Sequence, residues 1–104
     1  MKKNIAYSYI DIDWLVCPGC GGENLHHGKV TVFKRREDEE TVKVITVLDD
    51  GIEQKGMLSH LSGNPSSRRD GLRIAFWCEN CDANPELVVS QHKGNTSLYW
   101  EVAP

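Results

Sequence analysis

Along several stretches of this chain, apolar and polar positions alternate with period two, the spacing of a strand whose two faces meet different surroundings. Lys29–Arg35 sets Val30 and Val32 on one face. Thr41–Leu48 is dense in β-branched residues, with Val42, Val44 and Thr46 alternating against Lys43, Ile45 and Val47. Gly71–Cys78 places Leu72, Ile74 and Phe76 opposite Arg73, Ala75 and Trp77. Glu86–Lys93 and Thr96–Val102 follow, joined across Gly94-Asn95, a short hairpin signal. The last alternates Leu98, Trp100 and Val102 against Ser97, Tyr99 and Glu101. A further strand is expected within Asn4–Ile12, and His26-His27 is expected to open the first central strand, with one ring against the sheet.

Helical periodicity is missing over the roughly 11 residues needed to establish it. Ile52–Ser62 is the one candidate for a turn or two of helix, and Gly56 weakens it. Arg36–Glu40 reads as a solvated hairpin tip, an acidic run that serves solubility. The fold class expected is therefore mainly β: a small antiparallel sheet forming one domain over residues 1–104.

Composition sharpens this picture at three points. A chain of 104 residues with 39% hydrophobic and 26% charged residues suits one folded domain. At that size the core is modest, and a bound metal would help it. A net charge of −3 argues against wholesale polyanion binding while leaving room for a local basic patch. No apolar run has the length of a membrane span, and Ser8, Asp11 and Asp13 interrupt what would be the apolar part of a leader. A cytoplasmic protein without membrane association is expected.

The candidate chemistry lies in four cysteines. Cys17 and Cys20 form one CxxC pair and Cys78 and Cys81 a second, the pairs standing far apart in the chain. Two such pairs can aim four thiolates at one tetrahedral centre, which suits a structural zinc. Pro18-Gly19 and Gly21-Gly22 allow tight turns in the first pair, while Asn80 and Asp82-Ala83-Asn84 do so in the second. Disulfides, a redox pair and a histidine ligand are the competing readings. Cytosolic thiols stay reduced, and Gly21, Gly22 and Asn24 break the helix that a thioredoxin-like pair would open. With four cysteines available, none of His26, His27, His60 and His92 is needed as a ligand. Trp14, Trp77 and Trp100 are most simply core residues or flank the metal.

Ser59–Gly71 is long for a connection in a compact domain. It carries Asn64, Ser66, Ser67, Arg68 and Arg69, and Arg73 follows in the next strand. Serine hydroxyls and arginine forks grip phosphate or carboxylate, so these six residues are candidate partner contacts. The plainer alternative pairs Arg68 or Arg69 with Asp70, Asp49 or Asp50. Arg73, opposite Leu72 and Ile74 by alternation, is expected to stay solvated beside the loop.

With "CPGC", "CENC" and flanking strands, the chain resembles zinc-ribbon proteins. Its wider pattern is also similar to short uncharacterised bacterial and phage-borne proteins. The ribbon resemblance implies a structural zinc and a role in binding nucleic acid or protein; the long insert between the cysteine pairs departs from the simplest ribbons. The expected function is a non-enzymatic binding module whose partner, protein or nucleic acid, is left open. The alternatives are a small metal-dependent enzyme using His60, Ser66, Ser67 or His92, and a mobile-element protein that modulates a host factor by binding it. No nucleophile–base constellation, phosphate loop or HExxH-type motif supports the enzyme.

Overall fold

The structure is a computed structural model and describes residues 1–103. Seven strands form one antiparallel sheet: β1 Lys2–Lys3, β2 Leu25–Lys34, β3 Thr41–Leu48, β4 Gly51–Leu58, β5 Gly71–Cys78, β6 Glu86–His92 and β7 Asn95–Glu101. Their order across the sheet is β1-β7-β6-β5-β2-β3-β4. The mainly β expectation holds, and the central strands fall where alternation placed them. A single 3₁₀ turn, Ser59–Leu61, is the one helical element among the described residues.

Two expectations are corrected. Ile52–Ser62 is not a turn of helix: it is the strand β4 through Leu58, with the 3₁₀ turn only beyond it. Asp49-Asp50 turns the chain tightly, Leu48 pairs with Gly51, and β3 then draws β4 into register along its full length. Ladder pairing overrides a weak local preference. Nor does Asn4–Ile12 form a strand. Lys2–Lys3 pairs with β7, and Tyr7 makes only an isolated bridge to Leu15. Between them the side chains compete with any ladder: Ser8 Oγ accepts from the Ile10 N–H at 2.9 Å and Asp11 Oδ1 from the Asp13 N–H at 2.8 Å.

The hairpin between β6 and β7 turns one residue earlier than expected, at Lys93-Gly94. Both residues have positive φ, 49° and 82°, as the tight hairpin turn that matches strand twist requires.

Two faces follow from the pleat. On one, Phe33, Val42 and Val44 are buried with Met57 packed against them. The Ser59–Gly71 connection folds back over this face. Ser66 Oγ donates to the Gln91 carbonyl at 2.6 Å, and Arg73 Nε donates to the Gly63 carbonyl at 2.8 Å. At Gly71, a Cβ would lie 2.6 Å from Pro65 Cδ and closer still to Asn64 Oδ1, so only glycine lets the loop approach. On the other face Phe76 meets the fully buried Trp100 edge-on, with ring centroids 5.2 Å apart. Trp14 and Trp77 stay half exposed.

Candidate metal centre

The cysteines reach one place from two turns. The first turn precedes β2 and is closed by the Gly21 N–H bonded to the Cys17 carbonyl and the Cys17 N–H bonded to the Gly22 carbonyl, both at 2.8 Å. Gly21 sits at φ 77°, where a side chain would be strained. The second turn ends β5. Because Leu25 and Cys78 face each other at the joined ends of β2 and β5, the two turns are brought side by side. They also touch: Asn80 Nδ2 donates to Asn24 Oδ1 at 3.2 Å, and the Glu79 N–H to the Asn24 carbonyl at 3.0 Å.

The four Sγ atoms all lie within 4.8 Å of one another. Cys17 and Cys81 are 3.7 Å apart, as are Cys20 and Cys78. A tetrahedron with metal–sulfur bonds of about 2.3 Å has edges of about 3.8 Å, so the cluster has the dimensions of a four-thiolate site. Each turn repeats one local device, an amide two residues on aimed at the sulfur. Gly19 N–H reaches Cys17 Sγ at 3.3 Å, Gly22 N–H reaches Cys20 Sγ at 3.4 Å, and Asn80 N–H reaches Cys78 Sγ at 3.4 Å. The Ala83 N–H does the same for Cys81. Such donors favour thiolate over thiol.

Thiolates packed this closely repel one another. The Asn80 amide, opposed by burial and helped by neighbouring sulfurs, brings Cys78 down to about 7. For Cys81 the Ala83 amide favours the thiolate, but burial and the other three sulfurs outweigh it, and the thiol is pushed up to about 12. A dication removes this conflict, because it neutralises the charge the sulfurs would otherwise impose on each other. All four cysteines are free, with no disulfide among them, and the cluster contains no histidine.

The histidines lie beside the site or away from it. His26 stacks on Trp77 with centroids 4.2 Å apart and shares a 2.7 Å hydrogen bond with Glu79, inside the second cysteine pair. His26 and His27 open β2 as expected. His60 and His92 are exposed and belong to no cluster.

The arginine loop lies at the opposite end of β2 and β5. Its polar residues hold the loop itself together. Asn64 Oδ1 accepts from the Ser66 N–H and its Nδ2 donates to the Arg69 carbonyl, at 3.1 and 2.8 Å. Ser66, buried, accepts from the Arg69 N–H at 2.9 Å. Ser67 is exposed, with its carbonyl bound by Arg35 Nη1 at 2.8 Å. Arg68 forks onto Asp38 at 2.9 and 2.7 Å and reaches Glu37 at 2.9 Å, while Arg69 meets the other Glu37 oxygen at 2.8 Å. Their partners are thus the acids of the hairpin tip rather than Asp49, Asp50 or Asp70; Asp70 bonds Lys34 and the Arg35 N–H instead. Arg73 is less solvated than alternation suggested: its side chain is 20% exposed and bridges Glu86 and Glu101 at 2.7 and 3.5 Å.

This clamp has a pH signature. Hydrogen bonding from Arg68 holds the Asp38 carboxyl below its usual 3.8. Burial acts to raise Asp70, but the Arg35 amide and Lys34 outweigh it and lower that group as well. Lowered folded-state values mean that the clamp contributes fully above the unfolded value and is lost as pH falls through the folded ones. We expect NMR signals of residues 64–70 to shift as the pH drops below 3.8 while the methyl signals of the buried Val42 and Val44 hold. Loop signals unchanged there would show that the ion pairs do not tie the loop to the tip.

Compared with protein-family models, curated proteins and solved structures, the chain has no match in any of the three. Among the described residues no helix is long and apolar enough to cross a membrane.

Proposed function

We propose that the four cysteines bind one structural zinc through a zinc-ribbon-like pair of turns, and that the sheet so clamped is a non-enzymatic module that binds a protein. The observation that carries the reading is the four-sulfur cluster, with an amide aimed at each sulfur. Sulfur donors suit zinc, and four of them leave no open coordination position for a substrate. Free thiols suit a reducing compartment such as the cytoplasm.

A protein partner is favoured over nucleic acid by two features. The arginine charges that would meet phosphate are already paired with Glu37, Asp38, Glu86 and Glu101, and any partner must displace them. Beside the cysteine turns, the turn Ser8–Trp14, closed by the Ser8 N–H bonded to the Trp14 carbonyl at 2.8 Å, holds Tyr9, Ile10 and Ile12 in solvent, 108%, 78% and 82% exposed. Asp11 and Asp13 alternate with them. Large apolar side chains fixed outside a fold mark an interaction surface, and the interleaved acids fit an apolar partner groove with a basic rim.

Titration with single- and double-stranded oligonucleotides at low salt separates the two partner classes. We expect no binding tighter than the roughly 10⁻⁴–10⁻⁶ M of nonspecific contacts. Submicromolar affinity that falls steeply with salt, and is lost in Arg68→Ala/Arg69→Ala, would instead make the loop a phosphate-binding surface, with Asn64, Ser66, Ser67 and Arg73 supporting it.

A further inference from the structure

The two edges of the sheet differ. One carries β1, only two residues long, against the Trp100–Glu101 end of β7, and leaves Asn95–Tyr99 of β7 paired on one side only. The other is β4, eight residues paired on one side only, with no proline and no break in its register. Which of its main-chain groups face outward follows from the ladder. The Ser59 N–H bonds to the Glu40 carbonyl at 2.7 Å, one step beyond the Thr41–Leu58 pair. In an antiparallel ladder alternate residues direct both N–H and C=O to the same neighbour. Gly51, Glu53, Lys55 and Met57 therefore bond β3, and Ile52, Gln54, Gly56 and Leu58 turn their groups away from the sheet. Unpaired, flat edges of this length are templates for another strand.

From this edge we infer that two copies of the chain associate by pairing β4 with β4, antiparallel, about a two-fold axis at Gln54. The side chains select that register. It sets Glu53 opposite Lys55 of the other copy, and Lys55 opposite its Glu53, in a non-hydrogen-bonded pair where Cα atoms approach to about 4.5 Å. Ile52, 71% exposed, comes opposite Gly56, above which a Cβ would meet nothing within 4 Å. Gln54 and the Ile52–Gly56 pairs supply the outward-facing groups that bond each other. Moving the axis to Lys55 or to Glu53 sets like charges directly opposite, which destabilises paired strands.

A lone inward-pointing lysine is a common guard on an open edge. Here it shares its face with a glutamate two positions away, so what repels other registers becomes self-complementary in this one. Main-chain bonds supply the attachment and the exposed ion pairs mainly choose the register. The contact is isologous: it uses the same edge on both copies and consumes it, so assembly through β4 stops at two.

The test is analytical ultracentrifugation of the metal-loaded protein across micromolar to millimolar concentrations. Wild type should show a monomer–dimer equilibrium. Lys55→Glu should weaken it at least tenfold, and the swapped pair Glu53→Lys/Lys55→Glu should restore it. Gln54→Pro removes an outward-facing donor without touching the β3 ladder, so it should give a folded monomer with unchanged circular dichroism. A wild type monomeric throughout would overturn the inference, leaving the edge to solvent or to an extended segment of another protein. So would a dimer that neither Gln54→Pro nor Lys55→Glu weakens. Metal content, measured on the same samples, reports on the cysteine site separately.

Discussion

Cys78→Ser should purify with almost no metal, whereas the wild-type chain should carry about one zinc, the stoichiometry expected of four ligands in one cluster. In small structural sites, apparent zinc-binding free energies reach about 10–16 kcal/mol, and that energy is linked to folding because the unfolded chain offers no assembled site. The loss should be regional. Amide exchange should rise most at the Cys17–Glu23 and Cys78–Ala83 turns and at the facing ends of β2 and β5, which Leu25 and Cys78 join. The β3–β4 hairpin lies towards the far edge and should retain more protection. Metal content and exchange rates equal to wild type would remove the cysteine cluster from any account of stability.

Gly71→Ala should destabilise the domain without altering its metal content. The new methyl would meet the Pro65 ring at 2.6–2.7 Å and the Asn64 carboxamide. Pro65 is stiff, and Asn64 is held by the Ser66 N–H and the Arg69 carbonyl. Overpacking of this kind costs about 1–3 kcal/mol. For a domain near 100 residues each kcal/mol lowers the melting temperature by about 4–8 °C, so a drop on the order of 10 °C is expected. Gly28→Ala is the matched control, since only the Ala75 carbonyl oxygen, at 4.0 Å, lies near its Cβ position. Equal melting temperatures for the two variants would mean that the connection does not bear on the sheet at Gly71.

The sheet was legible wherever a strand has one buried and one wetter face. Val42 and Val44, buried on β3 between exposed Thr41 and Lys43, declare themselves by alternation. β4 does not: Gly51 through Gly56 are all exposed, because an edge strand offers few packing partners. Only its ladder with β3 makes it a strand, and that ladder leaves no trace in the apolar–polar pattern of β4 itself. The cysteine cluster was legible because paired spacing leaves few chemistries to choose from. The partners of Arg68 and Arg69 were not. Glu37 and Asp38 lie some thirty positions earlier, and the turn that aims them includes Asp38 at φ 59°. Acidic residues nearer in sequence were the natural candidates, and proximity along the chain misled.

The joining of β2 to β5 also sets the order in which this chain acquires structure. β3–β4 and β6–β7 close across two-residue turns and can form within microseconds. Leu25 must instead find Cys78, and Cys17 must find Cys81 across 64 positions, before the middle of the sheet exists. That search carries a loop-closure cost which local contacts cannot offset, and topologies dominated by distant pairings fold in milliseconds to seconds. On the ribosome the first cysteine pair waits without its counterpart until the second has been synthesised. During that interval a half-site of the proposed zinc centre should compete for metal with other thiols, so the yield of folded protein is expected to follow the zinc supply at the moment of synthesis.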